Sequence, residues 1–135
     1  MPGDFLDSNV LVYAFTDDPR TVTARALLER NCTISVQGLN EFANVARRKL
    51  GNSWDEIRDA LAVIRELCPA VLPVGLDTHE AALRLAERYG FAMFDALMVA
   101  TALDAGSTTL WSEDMQHGML IDGKLRIANP FRRAG

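Results

Sequence analysis

Several residue types are scarce in this chain, and each scarcity removes a class of function. It holds only two cysteines, two histidines and two lysines. Cys32 and Cys68 make no Cys-x-x-Cys pair, and His79 and His117 lack the spacing of zinc ligands, which excludes a dithiol redox centre and a zinc ribbon. Two lone cysteines among apolar neighbours read as buried thiols of a reducing compartment. The nine glycines form no G-x-G-x-x-G, no G-x-x-x-x-G-K-[ST] and no G-x-S-x-G. Dinucleotide sites, P-loops and the hydrolase nucleophile elbow go with them. Long hydrophobic runs are missing too. The best uncharged stretch, residues 67–76, is broken by Pro69 and Pro73 and falls well short of the ~20 residues of a membrane span. Asp4 and Asp7 stand where a signal peptide carries basic residues. The chain is expected to be soluble and cytoplasmic.

What is present suits one globular domain. The chain has 135 residues, 49% apolar and 24% charged, enough for one packed core. One domain is expected over 1–135, with a flexible tail near 130–135 that includes Arg132 and Arg133. Fourteen basic against 18 acidic residues give a net charge of -4. That excludes a generally basic nucleic-acid coat, but not a local basic face on an acidic protein.

Short apolar runs alternate with longer helical stretches, the pattern of an α/β domain with a mainly parallel sheet. Strands are predicted around Phe5-Leu6-Asp7 and over residues 33–36, 71–74, 108–111 and 125–128. Helices are predicted over 10–15, 19–30 and 38–50, the last stopped by Gly51. Another follows the capping box Ser53/Glu56, with Ile57, Ala60, Leu61, Ile64 and Leu67 on one face. Asp77 and Glu80 repeat that capping pattern before a helix ending at Tyr89-Gly90. The helix over 94–105 is apolar almost all round, the mark of a buried helix.

Four acids stand out against this frame. Asp95 opens the buried helix among Met93, Phe94, Ala96 and Leu97, where an ionised carboxylate is expensive unless paired, hydrogen-bonded or metal-bound. Asp7 ends the first strand and Asp114 follows the fourth. Glu41 lies early in the helix after the second strand. Taken singly, each has a plain reading: a helix cap, an Asx turn, a solvated loop charge, an exposed helical Glu. Topology joins them. In a parallel βαβ unit the helix N-terminus returns to the carboxyl edge of the strands. All four acids therefore gather on one rim of the sheet, where ligands of such sheets bind. At ~5 Å and an effective dielectric of ~20, each carboxylate pair costs about 3 kcal/mol, so the group needs raised pKa values or a cation. Oxygen donors without Cys or His suit Mg²⁺ or Mn²⁺, ions that serve phosphate chemistry.

The segments FLDSNVLVYAF, Asn40-Glu41, FDALMVATAL and LWSED resemble, in order and spacing, the four acidic motifs of the PIN domain. The compact layout is similar to VapC ribonuclease toxins of type II toxin–antitoxin pairs. The resemblance implies a three-layer α/β/α fold with a central sheet of four to five strands in the order 3-2-1-4-5. It implies a Mg²⁺- or Mn²⁺-dependent endoribonuclease with an RNA substrate, a cognate antitoxin and a homodimer. Asp7, Glu41, Asp95 and Asp114 would be the acidic set, with Asp7 and Asp95 as direct metal ligands. Asn9, Asn40 and Ser112 would support them. Asp-Ser-Asn replaces the commoner Asp-Thr-Asn, and Glu113 beside Asp114 leaves open which of the two faces the metal.

Other residues carry weaker signals. Arg47-Arg48-Lys49 suits a helix C-terminus or an RNA phosphate. Trp54 is expected to pack on the core, and His117 to face solvent. Two rivals remain: a PIN-type RNA-processing nuclease or scaffold without an antitoxin, and a receiver-type signalling domain. The second needs an acid at the end of the third strand, where VLPVGL has none.

Overall fold

The computed structural model describes residues 3–132. Strand β1 (Asp4–Leu6) passes directly into helix α1 (Ser8–Ala14), and α2 (Thr21–Leu28) follows a turn. Strand β2 (Ile34–Ser35) runs into α3 (Val36–Arg48), then α4 (Trp54–Leu67) and β3 (Val71–Leu72). Helices α5 (Leu76–Tyr89) and α6 (Met93–Asp104) precede strands β4 (Thr109–Trp111), β5 (Leu120–Ile121) and β6 (Leu125–Ala128). Among the described residues no helix is long and apolar enough to cross a membrane.

The strands form a four-stranded sheet ordered β1-β4-β6-β5 and a two-stranded sheet β2-β3. A parallel bridge between Phe5 and Thr33 joins them, with Leu6 N–H donating to Thr33 O and Thr33 N–H to Asp4 O. The run is thus β3-β2-β1-β4-β6, parallel throughout, with β5 antiparallel at the edge. The expected five-strand order holds, and one strand is added. Its hairpin turns on Asp122 (φ 51°) and Gly123 (φ 67°), with Lys124 N–H donating to Ile121 O at 2.9 Å. Two positive φ values define the type I′ turn that Asp-Gly favours.

Successive strand residues point to opposite faces, and β1 shows why this sheet has two cores. Leu6 packs with Val10, Leu11, Phe42, Ile57 and Ile64 beneath α1–α4. Phe5 packs with Met98, Val99, Leu110 and Ile127 beneath α5–α6. Both are wholly buried, as a strand covered on each side requires. Helix α6 buries Ala96 and every residue from Met98 to Ala102, as its uniform apolarity predicts.

Local starts differ from expectation in instructive ways. Ser53 and Glu56 form the expected box on α4. Helix α5 instead begins at Leu76 after Gly75, because Thr78 Oγ1 accepts from Gly75 N–H at 3.4 Å and donates to Asp104 at 3.1 Å. Asp77 therefore sits inside the first turn and caps nothing. Trp54 is not in the core. It is 53% exposed, with the Arg47 guanidinium 4.8 Å above its ring. At the C-terminal end Phe131 packs edge-on against Tyr13 at 5.1 Å. Arg133 lies outside the described residues.

Candidate active site

Asp7 is the hub of the rim. It ends β1 and caps α1, its Oδ1 accepting from Ser8 N–H at 2.7 Å. Its Oδ2 accepts from the Ser112 hydroxyl at 2.7 Å and the Asn9 amide at 3.3 Å. The residue is 4% exposed. Burial pushes its carboxyl up to about 6, against the pull of the Ser112 and Ser8 hydrogen bonds and with help from the charges of Asp114 and Asp95.

Glu41 projects from the second turn of α3. The Ser8 hydroxyl reaches its Oε2 at 3.4 Å, while its Oε1 is buried with no hydrogen-bond partner. Burial first, then the neighbouring Asp7 and Asp95 charges, raise its carboxyl to about 7. Asp95, in the first turn of α6, is raised by burial and by Asp114. Asp114 is exposed. Its Oδ2 accepts from Asn9 at 3.1 Å, and its N–H donates to Ser112 Oγ at 3.2 Å. One amide and one hydroxyl therefore tie the first acid to the last, across most of the sequence.

Glu113 faces elsewhere. It accepts from the Tyr13 hydroxyl at 2.8 Å and pairs with Arg20 Nε at 2.8 Å. Asp114 is thus the acid turned toward Asp7. Tyr13 and Arg20 are functional-site neighbours that sequence reasoning missed. Their only signal was the aromatic in the first motif and the Pro-Arg step into α2. Ser8, noted only as the hydroxyl residue of the Asp-Ser-Asn step, turns out to contact both Asp7 and Glu41. Asn40 is exposed on α3, without a hydrogen bond to the acids among the described residues. His117 accepts from Asn129 N–H at 2.9 Å through Nδ1, a loop-fixing role.

The structure brings the four acids into one neighbourhood: Asp7, Glu41 and Asp95 each feel the charge of another of the set, and Asp114 shares the Asn9 amide with Asp7. Among the described residues no three Asp, Glu, His or Cys side chains close on a common point by themselves. Mg²⁺ keeps several waters and is held by one or two carboxylates, so it does not require such a cluster. The orphaned Oε1 of Glu41 and three upshifted carboxyls are the marks of a donor set short of positive charge. An all-oxygen set fits a hard divalent ion. Beside the acids lies a cleft of about 650 Å³ lined by Tyr13, Glu41, Asn44, Lys49, Glu113 and Asp114, among others.

Comparisons with known proteins bear on the fold and the family. No curated protein matches the chain. Among solved structures, VapC20 of Mycobacterium tuberculosis, a sarcin-ricin loop cleaving toxin, is 21% identical with a TM-score of 0.68, covering 82% of this chain and 91% of that one. A toxin–antitoxin complex from Klebsiella pneumoniae is 18% identical with a TM-score of 0.73, covering 96% and 99%. VapBC2 from Rickettsia felis, bound to a promoter DNA fragment, is 20% identical with a TM-score of 0.66, covering 93% and 97%. At these identities the likeness is one of fold. The sequence itself matches the PIN domain over residues 5–117, a span that takes in all four acids, and the chain belongs to the PIN domain family.

Proposed function

We propose that this chain is a Mg²⁺- or Mn²⁺-dependent endoribonuclease that hydrolyses RNA phosphodiester bonds as the toxin of a VapBC-type pair. The observation that carries the reading is the rim of four carboxylates, three of them raised, tied together by Asn9 and Ser112.

Asp7 and Asp95 would hold the ion, with Glu41 and Asp114 completing its surroundings. The ion would supply positive charge to a phosphate oxygen and acidity to a water. The chain's own residues do the rest. Ser112 and Ser8 fix both oxygens of Asp7, so its orientation is set before substrate arrives. Asn9 holds Asp7 and Asp114 in register. Glu41, steadied by the Ser8 hydroxyl at 3.4 Å, brings to the rim a carboxyl that burial raises to about 7.

The reading includes a cognate antitoxin, which the fold shared with toxin–antitoxin complexes supports. It includes a homodimer, supported by the exposed Trp54, Val63 and Leu67 on α4, and action in the cytoplasm. The test is cleavage of single-stranded RNA by purified protein with Mg²⁺. Asp7→Asn and Asp95→Asn should abolish it, as should chelation; undiminished cleavage by either variant would overturn the assignment.

A further inference from the structure

Phe94 is 64% exposed although it belongs to the most apolar helix of the chain and directly precedes Asp95. Its ring makes no aromatic pair among the described residues. It lines a shallow cleft of about 360 Å³ together with Gln37, Asn40, Glu41 and Asn44. Glu41 and Asn44 also line the larger cleft beside the acids. Helix α3 thus presents a ridge between two depressions, with the acid rim at its end.

The chemistry of the smaller cleft is specific. One wall is an unpartnered aromatic ring. Most of the rest is carboxamide, from Gln37, Asn40 and Asn44, groups that each offer two donors and an acceptor. Stacking on an aromatic face with amide hydrogen bonds to the edge is how single-stranded bases are held. A volume near the small end of ligand cavities, about 300–1,000 Å³, suits one base and not a helix. Only Glu41 in its lining is charged.

We propose that Phe94, with Gln37, Asn40 and Asn44, forms the seat for one unpaired nucleobase of the RNA, next to the phosphate held at the acid rim. This rests on the ribonuclease reading. It also gives Asn40 a task away from the acids.

The probes are a random-sequence single-stranded RNA eight nucleotides long and an abasic strand of the same length. Affinity is read by anisotropy in Ca²⁺, and cleavage of the RNA in Mg²⁺. Phe94→Ala should weaken RNA binding on the order of 10-fold and leave the abasic strand unchanged, with its melting temperature that of the wild type. Phe94→Trp should restore RNA affinity, and its indole emission should be quenched by RNA and not by the abasic strand. If the wild type cleaves RNA while Phe94→Ala binds both strands as the wild type does, the seat is wrong and the ribonuclease reading stands. Equal losses for both strands would likewise overturn the seat. If the wild type neither binds nor cleaves, the ribonuclease reading falls and takes the seat with it. If Phe94→Ala keeps its RNA affinity but no longer co-purifies with a small protein that accompanies the wild type, the surface belongs to that partner and the seat is refuted.

Discussion

The protein without divalent ions should become less stable as pH rises from 5 to 8, and the effect is calculable from Asp7. Its carboxyl lies at about 6 in the folded chain against 3.8 in a free side chain. An acid whose folded value is raised favours the fold while protonated. Its contribution is complete below pH 3.8 and is lost as pH climbs through 6. At 1.36 kcal/mol per pKa unit the full loss is about 3 kcal/mol, of which roughly half falls between pH 5 and 8. Glu41, raised from 4.5 to about 7, acts with the same sign in the same window, discounted for its partial exposure. The two together come to about 3 kcal/mol, or on the order of 10 °C in melting temperature for a domain of this size. Asp7→Asn removes the buried charge, whose cost of about 3 kcal/mol is already net of the Ser8 and Ser112 hydrogen bonds, and its amide fits those two donors less well than a neutral carboxyl, a loss of about 1–2 kcal/mol. It should therefore melt about 3–5 °C above the wild type at pH 8 in EDTA, and no higher at pH 5. Millimolar Mg²⁺ should restore the wild type at pH 8 and leave the variant unmoved. Thermal scans at both pH values, with EDTA and with Mg²⁺, provide the check. A wild type that gains stability from pH 5 to 8 in EDTA, or an Asp7→Asn protein that melts lower than wild type at pH 8, would refute the electrostatic account of this rim.

Other outcomes follow from single contacts. Ser112→Ala removes the 2.7 Å bond to Asp7 and the acceptor for Asp114 N–H, and should cut Mg²⁺-dependent cleavage by about 10–100-fold with circular dichroism unchanged. Glu113→Gln breaks a half-exposed ion pair with Arg20 and should cost under about 1 kcal/mol of stability in urea titration. Its cleavage rate should stay within a few-fold of wild type, whereas Asp114→Asn should lose far more. Gly123→Ala forces an L side chain to φ 67°, and should lower stability by about 1 kcal/mol or more in the same titration. Ile64→Ala empties a fully buried position, and should cost roughly 2–5 kcal/mol, a loss readable as a matching drop in melting temperature.

Much of the fold was legible because it is written in periodic patterns. Ser53 and Glu56 announce α4, Gly90 at φ 76° ends α5, and the apolarity of Ala96 to Leu103, broken only by Thr101, marks a buried helix. The gathering of Asp7, Glu41, Asp95 and Asp114 was legible through topology alone, since strand ends and helix starts of a parallel sheet share an edge. Some features were not. Strand β5 is two residues long, too short for an alternating signal, and only Asp122-Gly123 hinted at its hairpin. Whether Glu113 or Asp114 turns inward depends on Tyr13 and Arg20, a hundred positions upstream, which no local pattern ties to them. Trp54 looked like core because tryptophan usually is. Its place over the turn that follows α3 leaves it a partner in Arg47 instead of a cavity.

The division of β1 has a further consequence. Phe5 and Leu6 commit to opposite interiors, and Asp7 comes immediately after them. Glu41 hangs from one half of the molecule and Asp95 from the other. The spacing of these carboxyls is therefore a caliper whose jaws are the two slabs of helices, and anything that wedges or squeezes the slabs changes the setting. Substitutions deep in either interior, far from any phosphate, are a means of tuning this protein's chemistry without touching a single polar group.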